Sequence, residues 1–539
     1  MFATNIQKHF FTLHYITILF IILSVTTAKD HKECIPLEGL APGYIACVCN
    51  ATYCDNIEDY GKLKPDEFAV YESNEDGKRL QLTVGKIGEK LKFQTKQDSQ
   101  KIVIKIDPST THQNVIGFGG AFTDAVGINL KTVTKELQQQ LLEQYFGKEG
   151  IGYTMSRVPI SSTDFSMEAY SYLDKPNDFN LTTFRLHKAD YDLKIPFIKQ
   201  AEEILGTPLN LVASPWSAPA WMKSNGKMVN GGFLKGTCPG EYFETWGKYF
   251  IKFFDEYHKN GIDFWGLTTQ NEPTSGLVPF YPFQSMYLSG EDQRQFVSTY
   301  LGPFLQASNY TKHLKVMIND DNVEKLPSYV EKAFDDPESS KYIHGVAIHW
   351  YHSEVSDMDR LQQTSEKYPE KFILSTEAST GVGLWDKGPL LGMWQRGVRY
   401  MRDIIDTMSR NTIGWIDWNL CLDLTGGPTF VDNRVDSAII VDKEKGVFYK
   451  QPMFYALAHV SKFVPSHSYR IEHEVIDLPP EHDFRSIAFQ TLDNKRVLII
   501  SNDNYFHTFD VQIKDPKSSK SIYYTIGPKS FTTIIWNKP

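Results

Sequence analysis

Beyond its first 28 residues the chain has no apolar run approaching the ~20 residues of a membrane helix, so no later spanning helix is expected. Positive charge is also in short supply. Fifty-six Lys and Arg against 65 Asp and Glu leave −9 with histidine neutral, which makes nucleic acid a poor partner. No strand-like segment runs into GxGxxG. Gly117-Phe118-Gly119-Gly120 lacks the third glycine at the required spacing, which argues against a dinucleotide-binding open sheet and leaves a tight strand-to-loop turn. Cysteine is sparse, six in 539 residues, and no CxxC pair suggests zinc. Internal repeats and low-complexity runs are missing too.

What is present begins with a leader. Met1 to Ala28 carries one charge, Lys8, then an apolar stretch from Tyr15 to Leu23 and small residues up to Ala28, the pattern of a signal peptide spanning 1–28. Four cysteines follow closely, Cys34, Cys47, Cys49 and Cys54, and in a secreted chain they read as two disulfides with three connectivities open. Sequons at Asn50, Asn180 and Asn309 agree with a glycosylating secretory route. Loss of Lys8 with the leader takes the formal charge from −9 to −10, and full protonation of the thirteen remaining histidines would take it to +3. Acidity is therefore expected to favour contact with anionic lipid. Vesicle binding that does not change between about pH 7 and 5 would contradict this.

The aromatic share of 13%, with 10 Trp, suits stacking on sugars or lipid. Alternating, turn-punctuated segments occupy both ends: FAVYES, LQLTV, KLKFQT and KIVIKI near the start, and RSIAFQTL, RVLIISND, FDVQIKD, SIYYTI and FTTIIW after about Ser466. Each block alone would leave open edges and half a core, so the two ends are expected to form one β-sandwich. The centre alternates short apolar strands with helical segments. Eight strand candidates end in polar or aromatic residues: Asp124, Asp164, Trp216, Asn271-Glu272, Asp320, His349, Glu377 and Trp418-Asn419. Eight such units predict a (β/α)8 TIM barrel whose strand ends meet on one rim. After the eighth, the strand-like TFVDNR and SAIIVDKE are expected to fold onto the cysteine-rich start as a small sheet, and QPMFYALAHVSKFV to form the last barrel helix. The expected layout is a leader at 1–28, a small disulfide-containing β module at 29–58 plus 420–450, a β-sandwich at 59–111 plus 466–539, and the barrel at 112–419 plus 451–465.

Retaining glycoside hydrolysis needs two carboxyl groups about 5–5.5 Å apart, one to attack and one to protonate the leaving oxygen. Glu272 and Glu377 are 105 residues apart, three βα units at roughly 35 residues each, which places them on strands 4 and 7 of one barrel. Pro273 ends ladder pairing after Glu272, and Asn271 can donate to a sugar hydroxyl. TTQNEPTSG resembles the acid/base motif of the barrel glycosidases and STEAS their nucleophile motif. CVCNATYC, GFGGAFTDA, EGIGYTMSRVPISSTDFS, ASPWSAPAWMK, KYIHGVAIHWY, GWIDWNL and FYKQPMFYALAHVSKFVP, spread over nearly the whole chain, resemble the glucocerebrosidase family, glycoside hydrolase family 30.

That resemblance implies hydrolysis of glucosylceramide to glucose and ceramide in the lysosome, with secretion as the alternative, aided by anionic lipid and a saposin-type activator at peripheral membrane contact. It implies Glu272 as acid/base and Glu377 as nucleophile. Arg157, Asp164, Trp216, Asn271, Tyr281, Phe283, His349, Tyr351, Trp418 and Asn433 are implied as substrate-binding or supporting residues, and Cys34–Cys47 and Cys49–Cys54 as the disulfides. No cofactor or metal is expected, since His349 and His352 have no third ligand grouped with them in sequence. Ser379, Arg434 and His352 depart from the mammalian pattern and put aglycone preference and activator dependence in doubt. The rival readings are a related barrel glycosidase acting on β-xylan or β-1,6-glucan, and an inactive homologue that binds sphingolipid or glycan.

Overall fold

The computed structural model describes residues 31–89, 99–351, 355–383, 385–479 and 483–539. The leader, KLKFQT and His352 lie outside the described residues. Eight strands form a closed parallel barrel: β1 (Gly117–Ala121), β2 (Met155–Ile160), β3 (Asn210–Pro215), β4 (Gly266–Thr268), β5 (Lys315–Asn322), β6 (Ile343–His349), β7 (Phe372–Glu377) and β8 (Thr412–Asn419). Their apolar bodies follow from burial on both faces of a parallel sheet.

Inside the barrel, Met155, Val212, Met317, Ala347, Leu374 and Ile416 pack into one apolar cluster. Because inward-facing positions recur every second residue, the next residues inward are Arg157, Ser214, His349, Thr376 and Trp418. On β2, β3, β6 and β7 the lining thus turns from apolar to polar within one step, and on β8 to the indole of Trp418. Among the barrel's register shifts, one on each side of β6 shapes the rim around His349. Between Ile348 and His349 the β6–β7 pairing jumps from Ser375 to Glu377, which sets His349 beside Glu377. Between Ala347 and Ile348 the β6–β5 pairing jumps from Asn319 to Asp321, leaving Asp320 as the extra residue of a bulge.

The chain's two ends share a nine-stranded sheet in which Glu67–Asn74, Gln81–Lys86 and Gln100–Asn114 join six strands from Tyr469–Ile476 to Ser530–Asn537. Phe68 and Val70 from one part of the sheet and Ile522 and Tyr524 from the other enter a single core, so the sheet curls over itself as a sandwich. A four-stranded sheet joins Cys47–Cys49 to Val447–Lys450, Ile439–Asp442 and Leu422–Asp423. There Cys34 is bonded to Cys47 and Cys49 to Cys54. The helix Pro452–Ser461 has Pro at its first turn and is buried throughout. TFVDNR, read above as strand-like, is a turn and loop instead, because its polar groups bind the barrel rim: the Thr429 hydroxyl donates to the Asp164 carbonyl and Asn433 to the Asp164 carboxylate. Asn50, Asn180 and Asn309 are exposed, as glycan acceptors must be.

Candidate active site

The rim is organised around Arg157 at the centre of β2. Its guanidinium is fully buried over the faces of Trp216, 4.8 Å, and Trp418, 5.6 Å. It donates to the Glu377 carboxylate, to Asn271 Oδ1 at 2.8 Å, to Asp320 Oδ2 at 2.7 Å and, through Nε, to Ser214 Oγ at 3.1 Å. Burial disfavours its charge, but Asp320 and Glu377 outweigh that and raise it further above its ordinary range.

Glu377 ends β7 and is almost wholly buried, with its second oxygen accepting from the Tyr351 hydroxyl at 2.8 Å. Burial pushes its carboxyl up, against the pull of His349 and Arg157 and with a further push from Glu272. Glu272 follows β4 in a left-handed conformation at φ +38°, a region that costs a non-glycine residue on the order of 1–3 kcal/mol, and Pro273 comes directly after it. The strain is held by its backbone amide, which donates to the Asp320 carbonyl at 2.9 Å. Its carboxylate faces His349 Nδ1 at 3.1 Å and the Tyr281 hydroxyl at 3.5 Å.

Both ring nitrogens of His349 face carboxylates, Glu272 by Nδ1 and Asp320 by Nε2 at 3.2 Å. Burial opposes a charged ring here, yet Glu377, Asp320 and Glu272 prevail and raise it to about 10, so both nitrogens donate. Glu272, His349 and Glu377 each bring an oxygen or nitrogen within 4.8 Å of the others. The sequence reading found no third ligand beside His349; folding supplies two carboxylates. A protonated imidazole has no lone pair for a cation, however, and Glu377 already faces a fixed guanidinium. The chemistry these groups fit is proton and glycosyl transfer.

Asp164 lies close by, buried, with its carboxyl accepting from Asn433 Nδ2 at 2.8 Å; burial pushes it up to about 8. Trp216 and Trp418 stack at 5.1 Å, and Phe165 meets Trp418 edge-on. Tyr281 and Phe283 pack edge to face at 4.6 Å, with Phe283 against the Trp216–Trp418 cluster. The twelve residues singled out for the site therefore converge on one rim. Sequence reasoning placed Asp320 at a strand end but not in the site, and no sequence period signals the bulge that turns it inward. At the mouth, a Cβ on Gly276 would overlap the backbone nitrogen of Tyr287. Gly276→Ala is expected to lower stability by about 1–3 kcal/mol, as urea denaturation would read it.

Residues 115–464 match the glycosyl hydrolase family 30 TIM-barrel domain and 467–534 the family 30 beta sandwich domain. The chain belongs to glycosyl hydrolase family 30. Within the family it is 41% identical over 520 residues to a Caenorhabditis elegans protein named "Putative glucosylceramidase 4", covering 96% of this chain and 98% of the other. It is 38% identical over 522 residues to lysosomal acid glucosylceramidase of Mus musculus, again covering 96% and 98%. Among solved structures, SrfJ from Salmonella typhimurium is similar with a TM-score of 0.78 and 26% identity, covering 88% of this chain and 100% of that one. This family 30 chain is a homologue of glucosylceramidases in a retaining family of glycoside hydrolases.

Proposed function

We propose that the chain is a glucosylceramidase that hydrolyses glucosylceramide to glucose and ceramide through a covalent glucosyl-enzyme. The observation that carries this reading is the pair Glu272 and Glu377, whose oxygens approach within 4.8 Å on one rim. That close approach suits direct attack by one carboxylate while the other protonates the leaving oxygen, as in a retaining enzyme. Glu377, oriented by Arg157 and Tyr351, attacks the anomeric carbon while Glu272 protonates the departing oxygen. Loss of the negative charge on Glu377 then lowers the proton affinity of Glu272, which activates water for the second displacement. Asn271 commits its Oδ1 to Arg157 and keeps its amide hydrogens for the sugar, while Asp164 and Asn433 face the hydroxyls and Trp216 and Trp418 the apolar face.

The lysosomal setting rests on the similarity to the mouse enzyme and on the two disulfides, which suit an oxidising secretory route. Peripheral contact with anionic lipid, assisted by a saposin-type activator, is supported by apolar residues beside the mouth: Phe280 is 85% exposed, and Leu277 and Val278 about half. Histidine protonation contributes less to that contact than the count of thirteen implied. His349 is cationic already at neutrality, and burial pushes His459 down to about 3 and His344 to about 4.

The test is hydrolysis of a fluorogenic β-glucoside and of detergent-solubilised glucosylceramide at pH about 5, with and without anionic vesicles, set against β-1,6-glucan. Turnover of both glucosides, enhanced by vesicles for the lipid, is the expected result. Turnover of the polysaccharide alone would overturn the substrate assignment.

A further inference from the structure

We propose that Asp320 is a positioning residue, the buried anion that fixes Arg157 and His349 against Glu377 and Glu272; this rests on the catalytic reading above. Asp320 is fully buried, and its four contacts divide evenly between its oxygens. Oδ2 accepts from Arg157 Nη2 at 2.7 Å and from the Thr268 hydroxyl at 2.6 Å. Oδ1 accepts from the Thr376 hydroxyl at 2.6 Å and from His349 Nε2 at 3.2 Å. These donors come from β2, β4, β7 and β6, so one carboxylate ties four strands of the barrel together at the level of the reaction.

The backbone is bent to put it there. Asn319 and Asp320 are consecutive left-handed residues, at φ +74° and +50°, inside the β5 bulge. Such conformations cost on the order of 1–3 kcal/mol each and persist where the surroundings hold them. A regular β5 would leave Asp320 out of register with the inward-facing positions. The Asp320 carbonyl meanwhile receives the Glu272 amide, so the same residue holds the strained turn that presents the acid/base.

The charges explain the need. Around Asp320 stand two cations, Arg157 and His349, and two carboxyl groups, Glu272 and Glu377; on its own strand, Asp321 is turned to the Thr274 hydroxyl. With Glu272 protonated for its acid role, Asp320 and Glu377 balance the two cations and the buried site is neutral. Burial alone would push the Asp320 carboxyl up; Arg157 and His349 reverse that and hold it well below the ordinary range, so the anion is present at every working pH. Without it, one buried cation is surplus, and His349 is the one that can shed a proton. Its hydrogen bond to Glu272 would then lose its charge, and Arg157 would lose one of its two carboxylate anchors.

Asp320→Asn keeps the shape and removes the charge, and two readouts separate its consequences. By NMR of histidine-labelled protein, His349 is expected to remain cationic at pH 8 in the wild type and to titrate at least two pH units lower in Asp320→Asn. On a fluorogenic β-glucoside, kcat is expected to fall about 100-fold with KM within about threefold, the signature of misaligned reacting groups. Thr268→Val, which removes one neutral donor, is expected to lower kcat by less than about tenfold. An Asp320→Asn variant with an unshifted His349 titration, or with wild-type kcat, overturns the proposal. If the wild type turns over no β-glucoside, the catalytic reading falls, and the His349 titration alone decides whether Asp320 holds the cation.

Discussion

Replacing Glu377 with Gln is expected to abolish hydrolysis of every substrate, a loss of at least about 10⁴-fold in kcat, because an amide cannot form the glycosyl ester. Glu272→Gln is expected to behave differently. Its loss of about 10²–10⁴-fold should be largest for glucosylceramide, whose alkoxide leaving group needs a proton, and should shrink in the first step for aryl glucosides with acidic leaving groups. With such substrates the glucosyl-enzyme accumulates, since no base activates water, and added azide should restore turnover and give a product of retained configuration. The wild-type pH–rate profile should be bell-shaped. Its limbs belong to the coupled pair and not to either residue, since Glu377 is raised in part by the charge of Glu272. Equal losses for both variants on an activated substrate would contradict the assignment of roles.

Much of this was legible before folding because a parallel barrel imposes a regular grammar. A strand buried on both faces must be apolar until it reaches the rim, so an apolar run that ends in Asn271-Glu272 or Glu377 marks both the element and its functional end. Convergence across strands was not legible. Arg157 can be assigned to a strand from its neighbours, but its simultaneous contacts with Asn271, Asp320 and Glu377 depend on register between β2, β4, β5 and β7. The β5 bulge hid Asp320 for the same reason: one added residue reverses the inward-outward alternation on which such reading depends.

At the chain ends the polar alternation of Tyr469–Ile476 gave no clear strand signal, and its partner Gln100–Asn114 runs well beyond KIVIKI. Their register shifts around Pro108, where no amide is available to the ladder. TFVDNR misled in the opposite direction. Its alternation serves hydrogen bonds to Asp164 from Thr429 and Asn433, not a sheet.

The same buried groups predict a protein whose thermal stability falls between pH 6.5 and 8. Burial pushes the carboxyls of Asp164 and Asp417 up to about 8 and that of Asp403 to about 7. In the unfolded chain such groups ionise near ~4, so between these values the folded state binds more protons and stability falls as pH rises. His349, raised to about 10, acts in the same direction above its unfolded value near ~6.5. Opposing them, His459 and His344 are pushed down to about 3 and 4, and they favour the folded state as pH rises, but only up to that same unfolded value. Lys223, buried and pushed down to about 7, opposes them above that pH. From pH 4.5 to 6.5 the two histidines offset two of the three carboxyls and leave about one uncompensated proton, so the fall there is shallow. Above 6.5 the carboxyls and His349 outweigh Lys223, at ~1.4 kcal/mol per uncompensated proton per pH unit, for a loss on the order of a few kcal/mol by pH 8. Calorimetry should therefore give a Tm slightly lower at pH 6.5 than at 5.5 and one several degrees lower again at pH 8. Asp417→Asn keeps an oxygen to accept from Tyr400 and from the Trp418 amide while removing the buried charge, so it should raise Tm at pH 8 and narrow the gap. A Tm that rises between pH 6.5 and 8 would mean that these carboxyls are solvated and ionised in the folded protein.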